Sequence, residues 1–211
     1  MSTAIDDLKW RYAVKKFDSE RMLSSKEMDR IKEAFNLTAT SYGLQPITLV
    51  IVSNKELQKR LVTHSMGQEQ VAQASHVLVI CLKNVIDEAY ITSYFQKVKS
   101  IRGISSATLD PFKNELVANF SNKDKKEVQD WSKNQAYLAM GNLLTVLAAE
   151  KIDSCPMEGF VPSAYDEILD LEAKGVTSVL VLPIGYRAED DMFSTFKKVR
   201  KDMSDSVIEI D

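Results

Sequence analysis

The segment KKEVQDWSKNQAYLAMGNLLTVLAAEK, residues 125–151, decides the fold. It is the longest stretch of helical periodicity in the chain, and from Ala136 to Ala149 it is apolar almost all round. A helix with apolar side chains in every direction belongs in a core or an interface. The flanking segments supply its cover. PITLVIVS (46–53) reads as a strand, and SHVLVICLK (75–83) as a second. The second is a continuous apolar run, as expected of a strand covered on both faces. TSVLVLPIGY (177–186) reads as a third strand and SVIEI (206–210) as a candidate fourth.

Helical patterns fill most of the remainder. Residues 5–15 suit a first helix, with Leu8 and Tyr12 four apart. In SSKEMDRIKEAFNL, Ser24 and Glu27 have capping-box spacing, and Met28, Ile31 and Phe35 recur at helical intervals. NKELQKRLV (54–62), residues 85–102 and residues 108–121 are further helices, with Gly103 separating the last two. No repeat, low-complexity tract or linker interrupts the chain, so residues 1–211 read as one domain. The expected class is α+β: a three-layer α/β/α sandwich in which helices flank a small mixed sheet and the long helix runs through the middle.

Composition narrows the function. The 211 residues carry 27 basic and 30 acidic side chains, a formal charge of -3, which is no footprint for nucleic acid. No apolar run approaches the ~18 residues of a membrane-spanning helix, and no signal-peptide pattern opens the chain. Cys81 and Cys155 are too few for a disulfide framework, and His64 and His76 show no metal spacing with them. A cytoplasmic protein without a structural metal is expected. With 7 glycines and no glycine-rich phosphate loop, any phosphate site must rely on side-chain cations. No nucleophile elbow is present either.

Three segments carry candidate chemistry. RYAVKKF (11–17) places Arg11, Lys15 and Lys16 together; as a helix it puts Arg11 and Lys15 on one face and turns Lys16 away. KKVRK (197–201) brings Lys198 and Arg200 to one side if extended. Each basic cluster, taken alone, also suits a solvated surface. SCPMEGF (154–160) sets Glu158 between Pro156 and Gly159, which suits a plain tight turn as well as a site.

These segments, together with TATSYGLQP (38–46) and QASHVLVIC (73–81), occur in the order and at the spacings of the nitroreductase family. The chain resembles the flavin-dependent NAD(P)H nitroreductases over essentially its whole length, in particular the oxygen-insensitive type also described as a dihydropteridine reductase. The resemblance implies an intertwined homodimer with an FMN in each of two sites built from both subunits. NADH or NADPH would be the electron donor, and nitro compounds, quinones or related small molecules the acceptors, in a ping-pong cycle. A pteridine or enone reductase, or a non-catalytic FMN-binding homodimer, are the alternatives.

Carried over residue by residue, the resemblance puts Arg11, Ala13, Lys198 and Arg200 at the FMN phosphate and ribityl end. Lys15 would approach the N1/O2 edge of the flavin, and Gln70 with Gln68 the pyrimidine edge. Pro156, Met157, Glu158 and Gly159 would pass the other side of the ring, with the Glu158 backbone N–H toward N5. Lys15 and Glu158 are thus the catalytic candidates. Ala39, Thr40 and Ser41 would come from the partner subunit, and Gln135 is a further candidate. Phe112 and Phe120 are the aromatic candidates of a helical lid, and either could equally be core. The chain departs from the family pattern at Ala13, where a serine is common, at Ile47, where a tryptophan is usual, and at Gln70, where some members use a lysine.

Overall fold

The computed structural model describes residues 3–210. Helix α1 (Ala4–Trp10) is followed by α2 (Ser25–Asn36), strand β1 (Ile47–Val52), α3 (Lys55–Thr63), the short α4 (Gln70–Gln73) and β2 (His76–Lys83). Then come α5 (Glu88–Arg102), α6 (Ser106–Ser121), the long α7 (Lys125–Ala149), β3 (Asp153–Ser154), α8 (Pro162–Ile168), β4 (Val176–Gly185) and α9 (Met203–Ser206). The strands form one sheet in the order β1-β2-β4-β3, and every neighbouring pair is antiparallel. The mixed character expected of the sheet is confined to one parallel bridge, between Ala13 and Ser154.

β2 shows why an uninterrupted apolar strand was needed. Val77, Val79 and Cys81 point into one core, with Val14, Phe17, Leu61, Val71 and Tyr165. Leu78, Ile80 and Leu82 point into the opposite core, with Met28, Ile31, Ala139, Leu143 and Leu147. The pleat sends alternate side chains to opposite faces, so a central strand between two helical layers must be apolar at both sets of positions. A third cluster joins α5 and α6 through Ile91, Phe95, Leu116 and Phe120 and packs on Trp131 of α7.

The capping box expected at α2 is present: the Ser24 hydroxyl accepts from the Glu27 N–H, and the Glu27 carboxylate accepts from the Ser24 N–H. α7 buries one side, through Ala136, Ala139, Met140, Leu143 and Leu147, against the sheet. Its other side leaves Tyr137 and Leu138 42% and 52% exposed. A single chain therefore covers only half of the helix that reads as apolar all round.

Two expected elements differ. The first helix stops at Trp10 instead of Lys15, with Arg11 extended at φ -69°, ψ 145°. Beyond it the backbone finds partners in distant segments. Val14 donates its N–H to Ser154 O at 3.2 Å, and Phe17 bridges to Arg187. Those tertiary bonds replace the helical ones, so Arg11 and Lys15 do not share a helical face. Leu8, expected to pair with Tyr12 on that helix, is 41% exposed. The second difference lies at 206–210: Ser206 ends α9 and 207–210 form no strand within one chain. The fourth strand of the sheet is β3 instead. The short helices α4 and α8 were not legible as helices in the sequence, being too brief for their periodicity to register. No helix among the described residues is long and apolar enough to cross a membrane.

Candidate active site

The extended stretch after α1 and the exposed segment near the chain's end bring the two basic clusters together. Lys198 Nζ donates to Lys9 O at 2.9 Å and also to Arg11 O, so it caps the carbonyl end of α1. Burial, then the neighbouring Arg200 cation, lower the Arg11 pKa. Burial, then Arg11, Arg200 and Arg187, lower that of Lys198. The Arg11 Nε is buried and has no hydrogen-bond partner. Among the described residues no acidic side chain forms an ion pair with Arg11, Lys15, Lys198 or Arg200. By contrast, Lys16 pairs with Asp190 and Arg187 with Asp153. A partly buried cation with an unsatisfied donor and exposed like charges beside it is unfavourable in isolation, and an anion would relieve it.

Lys15 is held by its backbone. Asp191, 3% exposed, accepts from the N–H groups of Lys15 at 3.0 Å, Phe193 at 3.1 Å and Lys16 at 3.4 Å, and from the Tyr12 hydroxyl at 3.0 Å. Burial would raise its pKa, but the hydrogen bonds from Lys15, Phe193, Tyr12 and Lys16 outweigh it and hold the carboxyl below its ordinary range. Sequence reasoning missed Asp191. Its partners Tyr12 and Lys15 lie 179 and 176 residues away in the chain, and the last Asp of a short acidic run carries no signal of them.

The segment 155–160 is laid along β4. Cys155 donates its N–H to Pro183 O at 3.0 Å, and Met157 to Val181 O at 2.8 Å. The alternation of an extended chain then turns the Glu158 N–H away from the sheet, where it makes no hydrogen bond among the described residues. The Glu158 carboxylate accepts from the Tyr137 hydroxyl on α7 at 2.7 Å, and that bond raises the pKa of the tyrosine. Gly159 lies at a close approach, where a side chain would push the ends of Gln68 and Met66 aside by a few tenths of an ångström. A Cβ there would lie 3.2 Å from Gln68 Nε2 and 3.3 Å from Met66 Sδ. Gln68 Nε2 donates to Gly159 O at 3.0 Å, and Gln70 Nε2 to Gln68 Oε1 at 2.9 Å. Gln70 Nε2 and Lys15 Nζ both reach Cys155 Sγ, at 3.7 and 3.9 Å. Lys15, Gln68, Gln70 and the 156–159 segment thus converge on one place, with the Arg11, Lys198 and Arg200 cations beside it. Ala13 joins through its bridge to Ser154.

Other candidates lie apart. Within one chain Ala39, Thr40 and Ser41 form a loop after α2. Ser41 donates its N–H to Gln135 Oε1 at 2.8 Å, and Thr40 Oγ1 accepts from the Gln45 N–H at 3.1 Å. Gln135 therefore serves that loop rather than the cation group. Phe120 is 5% exposed and meets Trp131 edge-on at 5.0 Å, so of its two readings the structure gives the core. Phe112 is 45% exposed, near Tyr42 and Phe95.

Comparison with known proteins closes the question of kinship. The model of the nitroreductase family matches residues 8–186. The chain belongs to the nitroreductase family. A Staphylococcus saprophyticus relative named as an NAD(P)H nitroreductase is 34% identical over 97% of this chain and 95% of its own length. The oxygen-insensitive NAD(P)H nitroreductase of Enterobacter cloacae is 28% identical over 94% and 95%. A solved nitroreductase from Exiguobacterium sibiricum, in complex with FMN, superposes with a TM-score of 0.84 at 19% identity, covering 100% and 98% of the two chains. This nitroreductase-family chain therefore shares the fold of that structure across its full length.

Proposed function

We propose that this protein is an FMN-dependent oxidoreductase that takes electrons from NAD(P)H and delivers them to nitro compounds, quinones or related small oxidised acceptors. The observation that carries the reading is the group Arg11, Lys198 and Arg200, with no acidic partner among the described residues and the buried Arg11 Nε unsatisfied there. A phosphate monoester brings negative charge and several acceptor oxygens, which guanidinium donors match in pairs. The residues present fit FMN: cations for its phosphate, amides of Gln68 and Gln70 for its polar ring edge, and a glycine where the chain passes closely.

The chemistry a bound FMN supplies is two-electron transfer, from NAD(P)H to the ring and from the ring to the acceptor. The protein's part is positioning and electrostatics. Arg11, Lys198 and Arg200 would hold the phosphate, with Ala13 leaving the ribityl end without the hydroxyl a serine would add. Lys15 would place a fixed ammonium where negative charge grows on reduction, which favours the reduced state selectively. The free Glu158 N–H would offer a donor at the hydride-accepting edge, flanked by Pro156, Met157 and Gly159. Phe112 is the remaining aromatic candidate for the acceptor side.

The working unit we infer is a homodimer with each flavin site at the subunit interface, where Ala39, Thr40 and Ser41 of one subunit meet the cations of the other. Two surfaces support this. The outer side of α7 exposes Tyr137 and Leu138, and the last residues expose Phe196, Val199, Ile208 and Ile210, the last three at 86–92%. Apolar surface of that extent is usually covered by a partner. Cys81 and Cys155 are free thiols, which fits a reducing, cytoplasmic setting.

The test is anaerobic. Protein purified with its yellow cofactor should bleach on addition of NADH or NADPH and recover colour with nitroaromatics or quinones. It should bind FMN much more tightly than phosphate-free riboflavin, and Arg200→Ala should weaken FMN by about 1.5–3 kcal/mol. A colourless protein that takes up no added FMN would overturn the reading.

A further inference from the structure

We infer that Cys155 is a positioning residue of this site, holding the Lys15 ammonium and the Gln70 amide in place through its sulfur. The inference rests on the FMN reading above and goes beyond it. Lys15 Nζ and Gln70 Nε2 lie 3.9 and 3.7 Å from Cys155 Sγ. From Gln70 the contacts continue to Gln68 Oε1 and from Gln68 to Gly159 O, at 2.9 and 3.0 Å. One sulfur therefore stands where three separate stretches meet: the basic segment after α1, the start of α4, and the 155–160 segment on β4. The Cys155 N–H is fixed to Pro183 O, so the sulfur is anchored to the sheet.

Its chemistry suits the task. The residue is 1% exposed. Burial pushes its pKa up, and the opposing pull of Lys15, Gln70 and Arg11 does not reverse this. The group therefore stays a neutral thiol at ordinary pH. A neutral sulfur accepts from an ammonium without cancelling its charge, leaving Lys15 its full field for the ring. A carboxylate in that place would neutralise the cation. A methyl would give it no acceptor, and the exposed lysine would turn to water. Sulfur is a weak acceptor, so the hold is modest and its loss should alter geometry rather than folding.

Cys155→Ala removes the acceptor without overpacking, and Cys155→Ser restores one. Two measurements read the result. In flavin-free protein, acylation of the Lys15 amine, mapped by mass spectrometry, should run roughly fivefold faster in the alanine variant than in the parent, with serine near the parent. In the FMN-loaded proteins, the alanine variant should show a more negative flavin midpoint potential and a roughly fivefold slower reduction by NAD(P)H, with serine near the parent. Equal labelling of Lys15 in all three proteins would overturn the proposal. So would a lowered melting temperature of the alanine variant with an unmoved potential, which is the mark of packing alone. If the parent takes up no FMN while the labelling pattern holds, the oxidoreductase reading falls and the Lys15–Cys155 contact stands.

Discussion

Replacing Arg11 with methionine should stabilise the flavin-free protein and remove most of its stabilisation by FMN. Among the described residues the Arg11 guanidinium makes no ion pair and its buried Nε finds no partner, and Arg200 and Lys198 add like charge nearby. Replacing a buried ion pair by apolar side chains of similar volume is often neutral or stabilising by ~1–4 kcal/mol, and a cation without a counter-charge has no such attraction to lose. Arg11 is only partly buried, so about 1 kcal/mol is expected. In a chain of 211 residues that raises Tm by roughly 2–4 °C. FMN at about a hundred times its Kd should add ~2.7 kcal/mol to the parent, a rise of roughly 5–11 °C. Losing hydrogen bonds to a charged phosphate weakens binding by ~1.5–3 kcal/mol. At the same FMN concentration the variant should therefore gain only about 0.3–1.3 kcal/mol. Thermal melts of flavin-stripped parent and variant, with and without FMN, measure both quantities. A variant that melts below the parent and shifts as far with FMN would refute the reasoning, because Arg11 would then be a structural side chain.

Three further outcomes are expected. Asp191→Asn should cost about 2 kcal/mol near neutral pH, since it weakens a carboxylate that accepts from four donors. Because the folded pKa of Asp191 is depressed, its contribution is complete above the unfolded value of ~3.9 and is lost as pH falls through the folded one. Urea melts should accordingly show a parent–variant gap that is constant from pH 5 to 8 and narrows below about pH 4; a gap that grows in acid would exclude this role. Lys15→Ala, reconstituted with FMN, should lower the flavin midpoint by the equivalent of ~1–3 kcal/mol and slow reduction more than it weakens oxidised FMN binding; potentiometry would show an unchanged midpoint if Lys15 were a bystander. Sedimentation should find an obligate dimer with an interface beyond ~2,000 Å², and a folded, flavin-loaded monomer at low concentration would exclude it.

The sequence by itself determined the layers. The continuous apolar run of β2 can be satisfied only between two cores, and Val77 with Leu78 show the alternation that follows. The Ser24–Glu27 spacing marks the start of α2 because a capping box is a local bond, complete within four residues. The long helix was legible because 25 residues carry enough turns for their pattern to register. The candidate site was legible as a set of residue types in family order, including Arg11, Lys15, Glu158 and Lys198.

Tertiary structure decided what those residues are attached to. The first helix could have continued through Lys15 on local preference alone. It stops because Ser154, Arg187 and Asp191 offer the backbone better partners from the far end of the chain. The same distance hid Asp191 and Cys155, whose roles consist of contacts with residues 179 and 140 positions away. Phe112 and Phe120 share one helix and one chemistry, yet one is exposed and the other buried against Trp131. Periodicity states which side chains seek cover; only the packed neighbours decide which of them receive it.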